Sequence, residues 1–186
     1  MPPKVKITKE DIVNAAVELV RQYGPQALNA RELAARLCCS TQPIFSNFAT
    51  MEQLRLSVVE KAEAVYFAYT RRETDSGQYP VYKASGMAYI RFAKEEPALF
   101  KLLYLCEKDE PGASVTVGLF EQMCDLAQSA AGLSAEQAQL FHLEIWAVVH
   151  GIATMFATGF LDLDWALVST MITDTYQGLR LRFTKE

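Results

Sequence analysis

Thr41, Gln42, Phe45 and Asn47 crowd the outward side of one short predicted helix, and their types suit the edges of base pairs. A Gln amide can bond adenine at two points, and a Thr can bond a base or touch a thymine methyl. Asn47 can reach a base or a phosphate, and Arg31, one helix earlier, a guanine or the backbone. Ser40 and the amides after it make a natural phosphate site. Ile44 and Phe48 lie four apart and face inward together. This is the chemistry of a side-chain row held in a DNA groove.

The neighbouring residues predict the elements that hold the row. Asn29 caps a helix, with Glu32 as capping-box partner and Leu33, Ala34 and Leu37 as its apolar face. That helix stops at Cys38-Cys39, and Ser40 caps the next, where Pro43 is tolerated in the first turn. An earlier helix runs from Thr8, its N-cap, to Tyr23 and ends at Gly24-Pro25. A later one opens at Thr50 with Gln53 as box partner and runs on to Tyr69. The whole is a helix-turn-helix with one helix on each side.

From Thr8 to about Leu56 the chain resembles the TetR/AcrR family of bacterial regulators. The family's motif falls on Arg31, Ser40, Thr41, Gln42, Pro43, Ile44, Phe45, Ser46, Asn47 and Phe48. The resemblance implies DNA contacts from Arg31, Ser40, Thr41, Gln42, Pro43, Phe45, Asn47 and Phe48, with help from Lys4. Four positions depart from the family pattern. Phe45 replaces a Tyr, Asn47 a His and Met51 a Lys, which removes up to three phosphate contacts. Cys38 stands where the turn usually carries Gly. If that residue is left-handed, a non-Gly side chain costs roughly 1 kcal/mol or more. The departures shift the phosphate grip toward Lys4, Lys6 and Lys9.

Behind the reader, Arg71 to Pro80 reads as a polar loop. Helices are predicted from Val81 to Glu95, from Pro97 to Cys106, from a Ser114 cap to Gly132, from a Ser134–Gln137 box to Thr158, and from about Leu163 to Phe183. Glu107 to Gly112 is a charged loop, and strand alternation is absent. The reading is all-α, about nine helices: residues 1–52 a three-helix DNA-binding domain, residues 53–186 a ligand-binding and dimerisation domain. Trp146-Ala147-Val148-Val149-His150-Gly151, with Glu96 to Leu102, resembles the WHG-type C-terminal domain of one TetR subgroup. That resemblance implies a ligand-binding body. Tyr66, Phe92, Tyr104, Phe120, Met123, Trp146 and His150 are the candidates to line an apolar ligand site.

The last two helices are apolar over more than one stripe, so each needs two neighbours. A twofold four-helix bundle supplies the second, through Ile145, Val149, Ile152 and Phe156 on one helix and Met171, Thr175 and Leu179 on the other.

Charge divides unevenly. Residues 1–55 carry seven Lys and Arg against five Asp and Glu, a net of +2; the remaining 11 against 17 give −6, for −4 overall. A slightly basic head on an acidic body suits a DNA reader whose body stays off DNA. No apolar run reaches the roughly 18 residues of a membrane span, because His150, Thr154 and Thr158 break the longest. Lys4, Lys6, Lys9, Glu10 and Asp11 leave no apolar leader near the start, so the cytoplasm is expected.

Metal and enzyme chemistry find little support. His142 and His150 lie eight apart, about 80° around the helix, and Glu144 points elsewhere. The four Cys lack metal spacing, and Cys38-Cys39 is expected to pack in the turn. No Ser-His-Asp order or Gly-rich phosphate loop is present. The chain therefore reads as a dimeric, cofactor-free repressor, not an enzyme, that binds a palindromic operator on double-stranded DNA and is released by an apolar small molecule. The alternative is a TetR-fold interaction protein with weakened DNA binding.

Overall fold

The computed structural model describes residues 7–106 and 112–183, and of residues 112–117 the backbone alone. Lys4 and Lys6 lie outside the described residues, as does most of the charged loop after Cys106. Among the described residues there are nine helices and no strand. The chain forms two compact units, one from residues 1–64 and 98–113, the other from residues 65–97 and 114–186.

In the first unit, α1 (Lys9–Tyr23) opens with a complete capping box: the Asp11 amide donates to Thr8 Oγ1 at 3.1 Å, and the Thr8 amide to Asp11 at 2.9 Å. The Thr8 hydroxyl, then its amide, hold the exposed Asp11 carboxyl below its ordinary value. Gly24 ends α1 at φ 86°, a backbone conformation that strains any other residue, so the turn favours glycine. A 3-10 turn, Pro25–Ala27, leads to α2 (Ala30–Arg36), whose first amides donate to Asn29. Then come α3 (Gln42–Asn47) and α4 (Met51–Asp75), the latter capped by Thr50. Gln53 returns its bond to the amide of Ala49, one residue before the predicted partner. Ile12, Val20, Leu33, Ile44, Phe48 and Leu54 close the core. Each large apolar side chain so buried contributes roughly 1.5–3 kcal/mol. From Ala98 on, α6 (Pro97–Tyr104) belongs to this unit, two residues shorter than predicted.

In the second unit, α5 (Val81–Glu95) packs against both α8 (Ala135–Thr158) and α9 (Trp165–Phe183). α7 (Gly112–Ala131) begins before Ser114, so that residue lies inside the helix and is not its cap. The Ser134–Gln137 box forms, and Gly159, left-handed at φ 70°, ends α8. Asp164 caps α9 through the amides of Ala166 and Leu167, which delays its start to Trp165. The buried Glu73 carboxylate accepts from Arg91 at 2.6 Å, and the guanidinium lies 4.5 Å from the Trp165 ring. Lys94 pairs with Asp162.

α8 is long and apolar enough by composition to cross a membrane, contrary to the expectation that its polar breaks prevent this. Ile145, Val149, Ile152 and Phe156 on it are buried inside the unit, which marks it as a core helix.

Candidate nucleic-acid interface and body cavity

The turn between α2 and α3 is built around Cys38. The Cys39 amide donates to Ala34 C=O at 3.0 Å and the Cys38 amide to Ala35 C=O at 3.1 Å. This pair of bonds is the Schellman closure, with Cys38 at the position that must turn left-handed, φ 51°. Cys38 is exposed, so it does not pack in the turn as expected.

Helix α3 starts at Gln42, so the cap position falls on Thr41, whose side chain makes no cap bond. The prediction of Ser40 as cap is corrected accordingly: Thr41 is already helical at φ −70°, ψ −13°. Ser40, Gln42, Phe45 and Asn47 are exposed, Thr41 and Pro43 half-buried, and Arg31 is exposed near the start of α2. Phe45 presents 49% of its surface to solvent. Phe48, expected among the DNA contacts, is 2% exposed, a core residue with Lys9 Nζ 5.0 Å from its ring, so its side chain faces inward. Asn47 Nδ2 donates to Pro43 C=O at 2.8 Å, which occupies part of its polar end. Arg36 bonds Gln22 at 3.0 Å, while Arg55 donates to Leu28 C=O at 3.3 Å.

Of the seven candidate ligand residues, Tyr66, Phe92, Trp146 and His150 are linked through Tyr89, whose ring lies 6.0 Å from Tyr66 and 6.1 Å from His150. Tyr104 belongs to the first unit, 5.3 Å from Phe100. Phe92 is fully buried and packs edge-on to Tyr66 and Tyr69, as core. Trp146 stacks on His150 at 4.9 Å, and the Tyr89 hydroxyl and His150 Nδ1 share a hydrogen bond of 2.9 Å. Phe120 meets His142 at 5.0 Å, and Met123 is half-buried on α7. Burial pushes both imidazoles toward the neutral form: His142 falls from 6.5 to about 4, and His150 falls as well.

A cavity of about 520 Å3 opens elsewhere in the second unit, among α5, α8 and α9. Ile145, Val149, Ile172 and Tyr82 form its buried floor, and Pro80, Gln177 and Arg180 are exposed at its mouth. Lys83 stands in its wall, donating to Ser169 Oγ and Thr173 Oγ1 at 2.7 Å each. It shares none of the seven predicted residues. Sequence periodicity places Lys83 on α5 but carries no signal that a cavity forms beside it.

The burial of Ile145, Val149, Ile152 and Phe156 also corrects the predicted dimer face: these side chains point into their own unit. Met171, Thr175 and Leu179 are half-buried. The exposed apolar stripe is Leu140, Leu143 and Ala147 on α8, with Leu167, Gly178 and Leu181 on α9.

The family described as "Tetracyclin repressor-like, C-terminal domain" matches residues 82–174, half of the chain. Over 185 residues the chain is 24% identical to an HTH-type transcriptional regulator of Mycobacterium tuberculosis, covering 96% of this chain and 84% of that protein. A TetR-like transcriptional regulator from Rhodococcus sp. RHA1 has a similar solved structure, with TM-score 0.68 at 15% identity over 98% of this chain and 97% of that one. The multidrug binding protein EbrR, solved with imidazole, gives TM-score 0.62 at 16% identity, over 90% of this chain and 93% of that one.

Proposed function

The chain belongs to the tetracycline-repressor-like family of transcriptional regulators, and from that premise we propose that it is a homodimeric repressor released from its operator by a small molecule. Residues 1–52 act as the reader and residues 53–186 as the body. The observation that carries the reading is the exposed row Gln42, Phe45 and Asn47 on α3, backed by a fully buried Ile44 and closed by the Cys38 turn. Such a row presents side chains to a major groove while its back is fixed by packing.

Two copies joined through Leu140, Leu143, Leu167 and Leu181 would place two readers on the half-sites of a palindromic operator. A ligand in the body would act through α4, whose residues belong to both units, and releases DNA only if it binds the released state more tightly. A regulator of this kind works in the cytoplasm. Mobility shifts on the DNA upstream of its own coding sequence test the reading; no shift at low salt on any such fragment defeats it.

A second reading rests on the thin phosphate grip: Phe45 lacks a hydroxyl, and Asn47 is bonded to its own helix. Under it the chain is an interaction protein with weakened DNA binding. A shallow dependence of log K on log salt supports this reading, because the slope counts phosphate contacts.

A further inference from the structure

We propose that the cavity among α5, α8 and α9 binds an amphiphile with an apolar chain and a carboxylate head, seated on Lys83. Taking this molecule as the effector rests on the regulatory reading above; the binding itself does not.

The cavity, about 520 Å3, falls within the range of sites that hold small organic ligands. Its floor is apolar, built from Ile145, Val149 and Ile172. The polar groups in its walls are mostly engaged. The Tyr82 hydroxyl bonds His142 Nδ1 at 2.8 Å, Thr173 donates to Ser169 C=O at 2.9 Å, and Tyr176 donates to Ala130 C=O at 2.9 Å. Lys83 differs. Two of its three N–H groups go to hydroxyls, and Tyr79 faces the ammonium at 4.6 Å from its ring. No described carboxylate pairs with it, and burial alone lowers its pKa.

A half-buried cation without a counter-charge is costly, and an anion within reach of its third N–H would offset that cost. Among the described residues, no Asp or Glu lines the cavity. A half-buried cation beside buried apolar side chains suits an anionic head followed by a hydrocarbon chain. A cationic or neutral head would leave Lys83 as it is.

Isothermal titration calorimetry on the full chain with dodecanoate, dodecanol and dodecyltrimethylammonium tests the proposal. Dodecanoate should bind at least roughly tenfold more tightly than dodecanol, as a charge-assisted bond does relative to a neutral one, with the ammonium weaker still. Lys83→Met, checked for an unchanged melt, should remove most of that preference. No binding of dodecanoate, equal binding of the alcohol, or a preference unchanged in Lys83→Met overturns the assignment. Release of bound duplex by dodecanoate is measured separately. A protein that binds dodecanoate through Lys83 but never binds DNA upholds the site and sinks the regulatory reading.

Discussion

Replacing Cys38 by Gly should stabilise the protein, although the change removes a side chain. Cys38 occupies the left-handed position of the α2–α3 turn at φ 51°, and its side chain is exposed. A non-Gly residue there costs roughly 1–2 kcal/mol. Glycine loses more chain entropy on folding, about 0.5–1 kcal/mol relative to Ala. The difference leaves Cys38→Gly more stable than Cys38→Ala by up to about 1.5 kcal/mol, roughly 0.75 kcal/mol at mid-range. For a chain of 186 residues melting as one, each kcal/mol moves Tm by about 2–4 °C. Cys39 has no positive φ, so the same pair of substitutions there should run in the opposite order, with Ala above Gly. Thermal melts followed by circular dichroism read both comparisons. A Cys38→Gly variant no more stable than Cys38→Ala refutes the left-handed assignment and with it the geometry of the turn.

Acid should weaken the fold through His142. Its folded pKa is about 4 against 6.5 unfolded, so below 6.5 the unfolded chain takes up a proton that the folded one refuses. Stability is therefore lost as pH falls from 6.5 toward 4, by up to about 3 kcal/mol. Tm measured against pH should fall less steeply in His142→Gln, and parallel curves would contradict the assignment. At the reader, Gln42→Ala should weaken specific duplex binding by about 1–3 kcal/mol, while Asn47→Ala, whose amide is tied to Pro43, should cost well under that. Fluorescence anisotropy on one operator duplex compares them. Leu143→Glu places a charge on the exposed stripe of α8, so sedimentation should show monomer in place of dimer, with a melt changed only by the loss of the partner.

The helix starts at Thr8, Asn29, Thr50 and Ser134 were legible because a cap is settled by residues within three or four positions. Ser40 failed as a cap because the Schellman closure around Cys38 decides where α3 begins, and the chain is already helical at Thr41. The Cys38 strain itself could be read in advance, since the turn demands one backbone conformation. The dimer face could not: α8 has apolar residues on two sides, and only packing against α5 decides that Ile145 and Val149 turn inward while Leu140 and Leu143 stay out. Phe92 became core, and Tyr104 went to the other unit. The cavity joins Tyr79 to Arg180 across a hundred residues, a juxtaposition that periodicity does not encode.

Selection of bound duplexes from a random pool tests the DNA-reading role most directly. The account predicts enrichment of an inverted repeat whose half-sites are spaced for two readers, and loss of that enrichment in Gln42→Ala. A pool that stays random after repeated rounds at low salt would contradict it.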